Sequence, residues 1–104
     1  NDLNLNYISL KQFPSLRLIN LFNYKKNSLL ETVLVSANDE LVDLFLKKKI
    51  NFLDISTNLI SILNLKEFKK LRSKKPNNLA QIMHLNRYVR LKTRTLCVRS
   101  YDNA

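Results

Sequence analysis

At 104 residues, with 45% of them apolar, the chain can bury one core, and no apolar run reaches the ~18 residues of a membrane span. The complete absence of glycine excludes both the dinucleotide fingerprint and the P-loop, whose backbones need conformations and close approaches that a side chain forbids. Lys and Arg number 18 against 8 acids, a net charge of +10 that suits a polyanion such as RNA, although the Asn-, Lys- and Ile-rich drift of an AT-biased genome would leave the same excess on solvated faces.

The first twelve residues, NDLNLNYISLKQ, alternate weakly and read as the end of a linker or a lone extended stretch. They lack the charged start and apolar centre of a secretory signal. Pro14 suits the first turn of a helix, and Leu18, Leu21 and Phe22 then share a face, which predicts a first helix over Pro14 to Asn23. Without glycine, turns fall to asparagine, and Asn23, Asn27, Asn77 and Asn78 stand where turns are expected.

The β-branched run VLVSA predicts a brief extension before the next helix. Ser36 lies three residues before Asp39, the spacing of a capping box, with Glu40 adding negative charge at the positive end of the helix dipole. Leu41, Leu44 and Phe45 would form its buried face. Lys47, Lys48 and Lys49 would close it where the dipole favours cations, a role in helix-end charge rather than a ligand site. Asp54 is the expected cap of a third helix carrying Ile55, Leu59, Ile62 and Leu63 and ending near Leu65. The basic stretch KEFKKLRSKKPNN reads as an exposed connection. Asn78 then caps a fourth helix with Leu79, Ile82, Met83 and Val89 on one side and Arg87, Arg90 and Arg94 beside it. Past Asn86 that stripe blurs, because Tyr88 and Leu91 point elsewhere.

The expected fold is therefore all-α, a small four-helix bundle-like domain with short loops. Residues 1–12 form the linker or extended stretch, 13–95 the helical domain and 96–104 a tail. Phe13, Leu18, Leu41, Phe45, Phe52, Ile55, Ile62 and Met83 are its expected core.

Little in the chain offers chemistry. His84 has no local carboxylate and reads as a surface or edge residue. Asp39 and Asp43, one turn apart, have a spacing that a metal could share, but capping and solvation account for them. Cys97 has no second cysteine to pair with and completes no metal-binding spacing, so it reads as a small apolar residue near the chain end, in a reducing compartment.

Taken together, the run FPSLRL (13–18), the ungapped SANDELVDLFLKKKINFLDI (36–55) and PNNLAQIMHLNRYVR (76–90) resemble the C-terminal helical domain of the 1-deoxy-D-xylulose 5-phosphate reductoisomerase family. There a Phe/Tyr-Pro-Cys-Leu-Lys/Arg-Leu run precedes Asn-Ala-Ala-Asn-Glu, then Phe-Leu, a short turn, Ile-x-Phe-x-Asp-Ile and a last helix ending in Trp-Ala-Arg. Tyr88 takes the aromatic place and Arg90 the arginine. Four departures stand out. Val35 replaces the first Asn, Asp39 replaces Glu, Lys48 takes a position often held by Gly, and Asn86 replaces an Asp able to pair with Arg90 one turn on. Lys48 held in a left-handed cap would cost about 1 kcal/mol.

The resemblance implies an enzyme that rearranges and reduces 1-deoxy-D-xylulose 5-phosphate to 2-C-methyl-D-erythritol 4-phosphate, in the non-mevalonate route to isoprenoids. It uses NADPH and a divalent cation, Mg or Mn. In that family the nucleotide site belongs to an N-terminal Rossmann-like domain, and the metal and phosphate sites belong to a central catalytic domain. The resemblance covers neither, so no catalytic, cofactor-binding or metal residue is assigned to this chain and no cofactor is expected on it. The first functional expectation is a support domain without activity of its own, partnered by the remaining domains of the enzyme and its homodimer, inside a bacterial cytoplasm or a plastid or other organelle. The alternative is the same bundle repurposed to bind RNA, for example in an organellar ribosome, through Lys66 to Lys75 and Arg87 to Arg99 with Tyr88 and Tyr101 stacking on bases. No membrane partner is expected in either case.

Overall fold

The computed structural model describes the backbone of residues 28–102 and the side chains of residues 28–98. The expected first helix, with Phe13 and Leu18, lies outside them, as do the side chains of Arg99 and Tyr101. Among the described residues the fold is all-α: α1 (Leu29–Leu46), α2 (Phe52–Leu63), a one-turn α3 (Lys66–Lys69) continued by a 3-10 turn (Lys70–Ser73), and α4 (Leu79–Asp102). Helix α1 packs against α4 on one side and α2 on another, while α3 and the 3-10 turn close the end of the bundle near the start of α1. No helix among the described residues is long and apolar enough to cross a membrane.

The second helix begins earlier than Ser36. Its N-cap is Ser28, whose Oγ accepts the Leu30 amide at 3.2 Å. The Leu29 amide, an orphan donor of the first turn, is taken up by the Lys74 carbonyl at 2.7 Å. Residues 33–37 are therefore helical rather than extended, and Ser36 and Ala37 are fully buried in mid-helix. The β-branched pair Val33 and Val35 yielded to tertiary packing: Val33 is fully buried in the core with Ala37, Ile62, Phe68 and Val89, and that burial outweighs a propensity difference of a few tenths of a kcal/mol.

At its other end α1 stops in a Schellman turn. The Lys48 amide donates to Phe45 O at 2.9 Å and the Lys49 amide to Leu44 O at 2.8 Å, with Lys48 at φ 61°. Ile50, just beyond, folds back into a cluster with Leu41, Leu44 and Cys97. The three lysines do close the helix, as expected, but their backbones form the cap.

The cap of α2 is Asn51 rather than Asp54. Asp54 sits at the third helical position, and its Oδ2 accepts the Asn51 amide at 2.9 Å, the reciprocal half of a capping box. Asn78 caps α4 as expected: its Oδ1 accepts the Gln81 amide at 2.9 Å, and Gln81 Oε1 in turn accepts the Asn77 amide at 2.7 Å. Helix α4 continues past the blurred stripe, through the residues read as a tail, to Asp102. Cys97, Val89 and Thr93 hold that second half against the core.

Two further expectations are corrected. The stretch after Leu65 is not an exposed connection throughout, because Phe68 is buried in the main cluster and Leu71 packs beside it. A single aromatic in a lysine-rich run carries no periodicity, so the sequence pattern missed it. Of the expected core, Leu41 and Ile62 are buried and Phe45 and Ile55 pack on its edge. Phe52, however, is 68% exposed, resting edge-on against Phe45 at 5.6 Å, and Met83 is 40% exposed.

Lys48 carries a side chain where glycine is unstrained. Replacement of Lys48 by Gly is expected to stabilise the fold by about 1 kcal/mol, read as a higher urea midpoint with unchanged slope.

Candidate functional site

The sequence places Glu40 and Asp43 three residues apart on α1, and Arg90 and Arg94 four apart on α4. Each pair thus shares one side of its helix. Where the helices meet, the four interlock. Arg90 Nε donates to Glu40 Oε1 at 2.9 Å and Arg90 Nη2 to Asp43 Oδ2 at 2.7 Å, while Arg94 Nε donates to Glu40 Oε2 at 3.0 Å. The Glu40 side chain is only 4% exposed, against 25% for Arg90 and 56% for Arg94. One buried carboxylate is therefore held by two guanidinium groups whose outer edges remain in solvent.

The balance of forces on Glu40 is legible. Burial pushes its carboxyl up, and the hydrogen bonds from Arg94 and Arg90 outweigh that push, leaving it below its ordinary range. The pairing beside it is equally specific, since Ser36 Oγ donates to Asn86 Oδ1 at 2.7 Å across the same seam. Asn86 thus bonds across to α1, and Arg90 finds its acids there instead of one turn back on its own helix.

A second contact ties α3 to α4. Tyr88 donates its hydroxyl to Glu67 Oε1 at 2.5 Å, and Lys92 Nζ donates to Glu67 Oε2 at 2.9 Å. These bonds lower the Glu67 pKa, the Tyr88 bond foremost, and raise those of Tyr88 and Lys92. The Tyr88 ring also lies edge-on to Phe68 at 6.0 Å. Tyr88 is therefore a packing and hydrogen-bonding residue of the bundle, with its hydroxyl committed to a carboxylate.

The remaining singled-out residues stay apart from this seam. His84 is exposed, its Nδ1 3.3 Å from Arg87 Nη2. Cys97 is buried, and burial, with the charges of Asp54 and Glu40, pushes its thiol pKa up, away from reactive thiolate character. Asp43 is bound by Arg90, and among the described residues no three His, Cys, Asp or Glu side chains come together to hold a metal. The described side chains thus do not offer a divalent cation a ligand set. The cations of Lys66 to Lys75 are exposed, whereas Arg90, Lys92 and Arg94 are already bound to carboxylates.

The sequence reading placed Glu40 at a helix start and so missed its role. The available signal was the complementary spacing of Glu40 with Asp43 and of Arg90 with Arg94.

Comparison with known proteins agrees with the resemblance carried by the sequence motifs. The sequence profile of the DXP reductoisomerase C-terminal domain matches residues 1–92. Over 98 residues, 94% of this chain, the sequence is 48% identical to the 1-deoxy-D-xylulose 5-phosphate reductoisomerase of Pelagibacter ubique (strain HTCC1062). The aligned part is 25% of that relative, so the chain spans about a quarter of its length. No solved structure matches the chain significantly.

Because the Glu40 pKa is depressed in the fold, its contribution is complete above the range where an unfolded glutamate titrates, about pH 4.3, and is lost as pH falls through the lower folded value. Glu40→Gln should therefore lower stability at pH 7 by about 2 kcal/mol and flatten the acid limb of stability against pH, measured by urea unfolding between pH 3 and 7. Asp43→Asn, at a 47% exposed side chain, should cost less than about 1 kcal/mol.

Proposed function

We propose that this chain, which belongs to the DXP reductoisomerase C-terminal domain family, is the helical support domain of an NADPH-dependent 1-deoxy-D-xylulose 5-phosphate reductoisomerase and does no chemistry by itself. The observation that carries this reading is how three of its acids are used. Glu40, Asp43 and Glu67 all hold cations of α4 and so join helix to helix. Acids spent in this way on the domain's own seams serve to hold a surface in place rather than to move protons.

On this reading the rest of the polypeptide binds NADPH, a divalent cation and the sugar phosphate, and isomerises and reduces the substrate to 2-C-methyl-D-erythritol 4-phosphate. The helical unit of residues 13–95 buttresses it, within a homodimer in the bacterial cytoplasm or an organelle. Its contribution to the reaction is positional. A misplacement of about 1 Å at a distant reacting centre can cost about 100-fold in rate, so a buttress raises turnover without touching substrate.

The test is deletion and return. In the full-length polypeptide carrying this segment, removing residues 13–95 should reduce turnover of 1-deoxy-D-xylulose 5-phosphate with NADPH by about 100-fold or more. The 104-residue chain alone should show none. Turnover by the isolated chain, or full activity after the deletion, would contradict the reading.

A further inference from the structure

Helix α2 presents a face that the described fold leaves uncovered. Ile55, Leu59 and Ile62 turn inward, while Leu53 and Ile60, two turns apart on the outside, are 77% and 61% exposed, and Phe52 stands beside them. Ser56, Thr57 and Ser61 fill the rest of that face. In a chain that is 25% charged, a helix of this length would carry about three ionisable residues; α2 has only Asp54, used at its cap.

Two of the three hydroxyls on this face are already provided for. Thr57 Oγ1 donates to Leu53 O and Ser61 Oγ to Thr57 O, each at 3.2 Å, and Asn64 Nδ2 donates to Ile60 O at 2.9 Å. Covering the face would therefore strand neither the Thr57 nor the Ser61 hydroxyl, and part of the usual cost of drying a polar surface is absent. Small Ser and Thr side chains also let another backbone approach closely. Leu91 on α4 differs: at 58% exposure, it has Arg87 and Arg94 one turn away on either side. A single exposed leucine among charges is ordinary, whereas a charge-free helix face with two of its hydroxyls bonded to its own backbone is an interface signature.

We propose that the outer face of α2 is where this domain docks against the catalytic part of its own polypeptide, an apolar surface bordered by acidic side chains. The inference rests on the support-domain reading and adds the surface that reading lacks. Two observations select this occupant. About three quarters of the relative's length lies outside the matched segment, which supplies a partner held at high effective concentration. The exposed Lys47, Lys48 and Lys49 stand just before α2 in the chain and bring positive charge to the end of the helix that carries Leu53, so the complementary surface carries carboxylates.

The test is made in the full-length polypeptide, with the photocrosslinking residue p-benzoylphenylalanine placed at position 53 or 60 and, as a control, at 91. Positions 53 and 60 are expected to crosslink within one molecule to peptides of the catalytic part, and position 91 is not. Crosslinks to residues 1–27 of this chain, a dimer-sized product, or yields at 53 and 60 no greater than at 91 would each overturn the proposal. Alongside, L53K/I60K should lower turnover by about fivefold or more while leaving far-UV circular dichroism unchanged, and L91K should change turnover by less than about twofold. If the deletion of residues 13–95 abolishes turnover but the crosslinks fall elsewhere, only the docking face is wrong; if the deletion is harmless, the support role itself falls.

Discussion

A carboxylate cannot be taken out of water between two helices unless something replaces its hydration, and the seam between α1 and α4 is arranged around that requirement at Glu40. Two arginines on α4 supply the replacement, and because their spacing matches one helical turn, both reach the same carboxylate only when α4 stands in one register against α1. Sliding α4 by a turn would set one arginine in the other's place and leave Glu40 with a single guanidinium, while a rotation of α4 that carried both away would leave a buried, unpaired carboxylate, a penalty of several kcal/mol. The net gain of the pair over a well-packed apolar contact is small. Its effect is to make alternatives costly, and the Ser36–Asn86 bond one turn along the seam applies the same constraint a second time.

From that register the rest of the domain follows. Val33 and Ala37 of α1 pack with Val89 of α4, and Ile62 and Phe68 complete the cluster from α2 and α3. The Schellman turn at Lys47 to Lys49 then redirects the chain so that Ile50 enters the second cluster and α2 lies along α1. Because α2 turns Ile55, Leu59 and Ile62 inward, its outer face is left uncovered by the described residues, with the Thr57 and Ser61 hydroxyls bonded to its own backbone. Such a surface is suited to holding another domain with little ordering cost.

Much of this was legible in the sequence, and the misses share a cause. The spacing of Leu41, Leu44, Ile62, Ile82 and Val89 identified helices and their inward sides, and Asn78 declared a cap, because these signals are local. Ser36 was misread as a cap since its three-residue spacing to Asp39 is locally indistinguishable from a capping box. Only its bond to Asn86, 50 residues away, shows that it is a seam residue. Phe68 was hidden in a lysine-rich run, and Phe52 and Met83 sit on apolar stripes yet face outward, because a periodic pattern says which residues are alike and not what lies opposite them. The strained Lys48 was visible through the resemblance to a family that often has glycine there, and its φ of 61° agrees. The ion-pair seam was the least legible feature, since it depends on two complementary spacings that only the folded chain superimposes.

The claim beneath this account is that Glu40 and the α4 arginines act as one coupled unit across the seam. A double-mutant cycle between Glu40→Gln and Arg94→Gln, with stability read by urea unfolding at pH 7, measures that coupling directly. The account predicts an interaction energy of about 1–3 kcal/mol that shrinks as the pH is lowered through the glutamate's titration; additive effects of the two substitutions, with no interaction energy at pH 7, would contradict it.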